Sequence, residues 1–137
     1  MQQFFNGMYT MLISWFYQRK PASFGLYKSE IFNTIGLCTL LVALGLGLIF
    51  YYIFNGQKLA LNQLNWSKPT HWLLVLLLAA GVGALLAYRV SIKQGATPES
   101  YLRYFIIVNT LVAPFWYFLF SLGLKRLFAN QARTTPF

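Results

Sequence analysis

The sequence predicts an all-α fold: a polytopic helical membrane protein with three transmembrane helices and an N-terminal amphipathic interfacial helix. Three observations predict it. Long apolar runs recur along the chain, charged side chains are scarce, and the basic residues gather at the edges of the runs. Of 137 residues, 58% are hydrophobic and only 9% are charged, where soluble domains carry about 25% charged residues. A small fold exposes much of its surface, so such a chain cannot coat itself for water, and lipid must be part of its solvent. No linker or composition shift divides it, and 1–137 is expected to form a single membrane domain.

The first element differs in kind from those that follow. Over 3–18, the residues Gln3, Asn6, Gly7, Thr10, Ser14 and Gln18 recur at three and four positions and share one helical face, while Phe4, Phe5, Met8, Leu12, Trp15 and Phe16 cover the rest. Its apolar core, 4–17, is too short for an ordinary span of about 20 residues. It is therefore expected to lie in the interface or to pack against the other helices. Arg19-Lys20-Pro21 is expected to stop it at the water boundary. The apolar N-terminus lacks a basic leader and an A-x-A-like site, so no cleaved signal peptide is expected.

Segment 31–54 (IFNTIGLCTLLVALGLGLIFYYIF) carries no charge, and at about 1.5 Å per residue it is long enough to cross a hydrocarbon core of roughly 30 Å. It is the first span. The second is expected at 72–90, with Arg89 close enough to its end for the guanidinium to reach the head groups. The third is expected at 104–124, closed by Lys125-Arg126 and followed by a basic tail, 125–137. Hydrocarbon offers no partner to a backbone N–H or C=O, so each run must close its own hydrogen bonds as a helix. A transmembrane barrel would instead need alternating segments of about ten residues, which are missing.

The connections carry stop and start signals. Asn55-Gly56 would end the first span, and Ser67-Lys68-Pro69-Thr70 would open the second, with Pro69 in a first turn where its missing N–H matters little. Gly95 would break the chain, Thr97 would be an N-cap, and Pro98 would take the first helical position. The tail LFANQARTTPF is short and polar and ends on Phe137; ordering it would need a partner chain or a docked position on the protein's own surface.

The formal charge of +9 comes from Lys and Arg set against Glu30 and Glu99 alone. The cations lie at membrane boundaries rather than in a basic stripe interleaved with aromatics, so no nucleic acid partner is expected. Arg19, Lys20, Arg89, Lys125 and Arg126 are expected to contact lipid head groups. The N-terminal segment and second loop carry Arg19, Lys20, Lys28, Arg89, Lys93 and Arg103; the opposite side carries Lys58, Lys68, Lys125, Arg126 and Arg133. That near-even division favours a cytoplasmic N-terminus only slightly. Tyr51, Tyr52, Trp66, Trp72, Tyr88, Tyr101 and Tyr104 are expected interfacial anchors. The expected location is a bacterial inner membrane.

Catalysis inside a membrane needs reactive groups that converge at depth. The chain has no Asp, its two glutamates lie in aqueous segments, His71 stands at a helix entrance, and the single Cys38 lies within an apolar run. No catalytic, cofactor or metal site is expected.

The small residues are more informative. Thr39, Ala43 and Gly47 form one four-residue stripe and Ala79, Gly83 and Ala87 another, a pattern that allows close helix approach in lipid. They could meet another subunit, or the first two spans could pack on each other. In the third span Asn109, Ala113, Tyr117 and Ser121 draw a mildly polar line, and Pro114 frees the carbonyl of Thr110 on the neighbouring face. A kink at Pro114 with Asn109 hydrogen-bonded to a neighbouring helix is the favoured reading, with an aqueous path as the other. No acidic ring at membrane depth would select ions.

Three spans leave little interior for a site. The leading expectation is a non-catalytic integral membrane subunit or anchor of a larger assembly, either a homo-oligomer or a complex with other membrane subunits, in contact with membrane lipids. In size, span number and basic C-terminal end the chain is also similar to three-span phage holins, a likeness of layout that implies a homo-oligomeric pore. An accessory subunit of a membrane enzyme is the third expectation.

Overall fold

The computed structural model describes residues 1–54, 69–97 and 99–128. Those residues are helical and contain no strand. Helix α1 is Gln2–Phe16. Helix α2 begins at Phe24, passes a π-helical turn at Tyr27–Ile31 and ends in another at Ile49–Phe54; its apolar stretch is Phe24–Tyr52. Helices α3 (Pro69–Lys93) and α4 (Ser100–Phe128) complete the set. By length and composition α2, α3 and α4 can each cross a membrane, which makes this a multi-pass helical membrane protein.

The helices outrun the boundaries set by apolar residues. The helix of the first span starts at Phe24, ahead of 31, and takes in Lys28 and Glu30; both are exposed, while Tyr27 and Ile31 on the other side of the wide turn are buried. The helix of the second covers 69–93, beyond the apolar 72–90. The helix of the third covers 100–128, beyond the apolar 104–124 and beginning two residues after the expected Pro98, and Lys125 and Arg126 belong to its last turn. The common reason is that a helix closes its hydrogen bonds in the head-group layer as well as in hydrocarbon, so a charge marks the lipid edge without ending the helix. Conversely, α1 stops at Phe16 rather than 18, before the basic pair: Tyr17 turns extended (φ −150°, ψ 113°) and stacks on Tyr104 with ring centroids 5.0 Å apart.

The corner between α3 and α4 is fixed by backbone geometry. Gly95 takes φ +88° and donates to Ile92 O, while Ala96 N–H donates to Ser91 O, a Schellman closure that needs a left-handed residue. Thr97 does not cap α4 as expected. The helix begins at Ser100, three residues on, and the Thr97 hydroxyl donates to the Glu99 carboxylate at 2.8 Å. Pro98, Asn55-Gly56, Trp66, Ser67-Lys68 and the tail from 129 lie outside the described residues.

Helix α4 is the centre of the bundle, and both α2 and α3 pack chiefly on it. Tyr27 meets Tyr101, Phe32 meets Phe105 and Tyr51 meets Ser121, so α2 and α4 run parallel. Gly83 lies beside Asn109 and Trp72 beside Ser121, so α3 runs antiparallel to them. Helix α3 is the peripheral one: 22% of its most apolar stretch is buried, against 39% in each of the others.

Helix α1 packs on α2 and α4. At its start Gln2 Nε2 donates to Ser29 O at 3.0 Å, and just beyond its end Tyr17 meets Tyr101 and Tyr104. The first turn also reaches deeper, where the Phe4 ring meets Trp116 with centroids 6.4 Å apart, so α1 runs obliquely over the parallel α2–α4 pair. Its surface has three sectors at helical spacing. Phe5, Tyr9 and Ile13 are buried against the spans, Phe4, Met11 and Trp15 are exposed apolar residues, and Gln3, Gly7 and Ser14 are exposed polar ones. This suits a helix at the membrane interface, with protein on one side, acyl chains on the second and head groups on the third.

The interior is larger than three spans were expected to enclose, because α1 adds a fourth wall and the filling is aromatic. Tyr9, Tyr27, Phe32, Tyr101 and Phe105 pack with centroids 4.9 to 5.9 Å apart, and such pairs contribute about 0.5–1.5 kcal/mol each beyond their burial.

Candidate functional site

The polar side chains at membrane depth gather into two nodes, each centred on one residue of α4. An amide in hydrocarbon must find a partner for two donors and two acceptor lone pairs. Asn109, fully buried, finds all of them within the chain. Its Nδ2 donates to Gly83 O of α3 at 2.8 Å and to Thr39 Oγ1 of α2 at 3.1 Å. Its Oδ1 accepts from the Tyr9 hydroxyl of α1 at 2.6 Å and from Thr39 Oγ1 at 3.3 Å. One side chain thus ties all four helices together. Burial raises the pKa of the Tyr9 phenol above its ordinary value, so the hydroxyl keeps its proton and remains a donor.

The close approach at Gly83 makes this node possible. A Cβ built there would lie 2.6 Å from Ala113 Cβ and 3.1 Å from Asn109 O, neither of which can swing away. Gly36 plays the same part for α1: the Phe5 ring occupies the space that a side chain at 36 would take.

The second node is Ser121. Trp72 Nε1 of α3 donates to Ser121 Oγ at 2.7 Å, and the Tyr51 hydroxyl of α2 shares a hydrogen bond with the same atom. Trp72 also packs on Tyr117, centroids 5.8 Å apart. The Tyr117 hydroxyl is buried and has no hydrogen-bond partner among the described residues.

Of the residues singled out in the sequence, Asn109, Tyr117 and Ser121 all face the interior. Thr110 turns its hydroxyl back to Ile106 O at 2.7 Å, and Pro114 stays within a continuous helix, half-buried. Both small-residue stripes, Thr39-Ala43-Gly47 and Ala79-Gly83-Ala87, are buried inside the chain. Each stripe meets α4 through its glycine: Gly47 meets Leu124, and Gly83 meets Ala113. The reason is that α4 supplies the polar partners, and small residues opposite it let those partners come within hydrogen-bond reach. Arg19, Lys20, Arg89 and Arg126 are exposed at the helix ends, and Lys125 is half-buried.

Several members of the nodes carry no signal of their own in the sequence. Tyr9 reads as one more aromatic residue of α1. Tyr51, Trp72 and Tyr101 read as interfacial anchors, but the structure buries all three, and Tyr51 and Trp72 bond to Ser121. Tyr52 and Tyr88 are exposed, as anchors would be. Among the described residues no three His, Cys, Asp or Glu side chains group as metal ligands would. No protein-family model, curated protein or solved structure matches the chain.

Proposed function

We propose that the chain is a non-catalytic integral membrane subunit or anchor of a larger membrane assembly, in a bacterial inner membrane. The observation that supports this most is the saturation of Asn109. Its amide is fully buried with every hydrogen-bonding position filled by Tyr9, Thr39 and Gly83, which leaves none for water or a substrate. A bundle that spends its central buried amide on its own cohesion acts through its outer surface. The same saturation weighs against a pore along the α4 polar line.

The least covered surface belongs to α3. Leu73, Leu74, Leu77, Leu78 and Leu85 are exposed there. Gly81 lies among them with nothing within 4 Å of the position its Cβ would take. Large residues around a small one let a second helix approach closely, the geometry by which helices associate in lipid. This face, rather than the two buried stripes, is the candidate contact with a neighbour. Purification in mild detergent followed by mass measurement tests the proposal. A stable oligomer or a co-purifying membrane partner, lost on Gly81→Leu, is expected; a monodisperse monomer with no partner would overturn it.

A further inference from the structure

Beneath α1 lies a cavity of about 460 Å³ between its outer face and α4. Met8, Met11 and Phe16 line it from α1, and Val108, Leu111 and Phe115 from α4. Every lining side chain is apolar. Met11, Phe16, Leu111 and Phe115 are all more than half exposed, so the cavity opens on the lipid-facing surface. Tyr17, just past the end of α1, meets Tyr101 and Tyr104, while Phe4 at its start meets Trp116, so α1 accompanies α4 down to the level of Leu111 and Phe115. The cavity is therefore walled by α1 on one side and by α4 on the other.

Its outer end is cationic. Arg19 and Lys20 follow the lining residue Phe16 within the turn that leaves α1. Tyr17 stacks on Tyr104, the neighbour of exposed Arg103. Arg103 and Ile107 lie one turn apart on one face of α4, with Leu111 and Phe115 turned from it by a further roughly 40° at each four-residue step. Lys20 rests on the Phe24 ring, 5.5 Å from its centroid, and Lys28 approaches the same ring at 5.1 Å. Arg19, Lys20 and Arg103 pair with no carboxylate among the described residues. From Arg103 to Phe115 α4 rises about 18 Å, close to the depth of one leaflet of a bilayer with a core of roughly 30 Å.

The α4 wall of the apolar slot runs about 10 Å from Val108 to Phe115, and the cations beyond its head-group end pair with no carboxylate among the described residues. The slot is complementary in shape and charge to an anionic lipid with part of one acyl chain inside it. We propose that the cavity holds part of one acyl chain of an anionic phospholipid whose phosphate is met by Arg19, Lys20 and Arg103. The site belongs to the single chain and stands whether or not the protein joins a larger assembly.

Native mass spectrometry of the full chain, released from detergent with phosphatidylglycerol or phosphatidylcholine of identical acyl chains, tests this. Phosphatidylglycerol adducts should survive at least about tenfold better than phosphatidylcholine adducts. The combined variant R19Q/K20Q/R103Q should bring the two lipids level. The cavity-filling variants Leu111→Trp and, separately, Met11→Phe should reduce retention of both, with helix content by circular dichroism unchanged. Equal retention of the two lipids by the unaltered protein would overturn the proposal. So would selective retention that survives the charge variant, or retention untouched by both filling variants in folded protein.

Discussion

At Asn109 one amide is shared among four helices, whereas at Ser121 one hydroxyl is shared among three, with the buried Tyr117 hydroxyl one turn away finding no partner among the described residues. The two regions lie on the same helix and differ in how completely their polar groups are satisfied. An amide has two donors and two acceptor positions set in a plane, so filling all of them fixes the rotation of every helix that takes part. A serine hydroxyl has one rotatable donor and tolerates several arrangements. The part of the bundle packed by α1 thus joins a saturated amide to its aromatic cluster, and the opposite end relies on a single oxygen between Tyr51 and Trp72.

That contrast ranks the substitutions that would break it. Asn109→Leu should have the largest effect, a loss of roughly 2 kcal/mol. Interhelical hydrogen bonds in membranes average about 0.6 kcal/mol each and four are lost, with the Tyr9 and Thr39 hydroxyls left buried. Unfolding of protein reconstituted in bicelles, followed by tryptophan fluorescence, would measure it. Gly83→Ala should come next, at about 1–2 kcal/mol, because the added methyl meets Ala113 and Asn109 O and forces α3 away from α4. Disulfide trapping across the α3–α4 contact would report the widening. Ser121→Ala should lose about 1 kcal/mol at the opposite end while leaving hydrogen exchange in α1 unchanged. Tyr117→Phe should be neutral within about 0.5 kcal/mol, since its hydroxyl gives up no bond and its ring keeps the Trp72 contact. A Tyr117→Phe loss as large as that of Ser121→Ala would mean that the second node is as saturated as the first.

The spans were legible because bilayer thickness is a strict ruler: an uncharged run such as 31–54 has few alternatives to a membrane helix. Asn109 was legible too, as a polar side chain with no place in lipid unless it is bonded. Its partners were not. Spacing shows which residues share a face, as with Thr39, Ala43 and Gly47, but not which faces meet. The two stripes therefore announced close approach without revealing that α4 is what approaches. Tyr9 was hidden for a related reason. It is one aromatic among several on α1, and its tie to Asn109 spans a sequence separation of 100 residues. Charge did not mark the helix ends: Lys28 and Glu30 lie ahead of the apolar run, yet they ride on the exposed side of a helical turn whose other side buries Tyr27 and Ile31.

The central claim is that Asn109 joins α1 to the spans through a buried hydrogen bond from Tyr9. A double-mutant cycle with Tyr9→Phe and Asn109→Leu in a lipid bilayer tests it most directly. The account predicts that the two losses fall short of adding, with a coupling of about 1 kcal/mol. Strict additivity would contradict it, because it would mean that Tyr9 and Asn109 do not share a bond when the protein is in lipid.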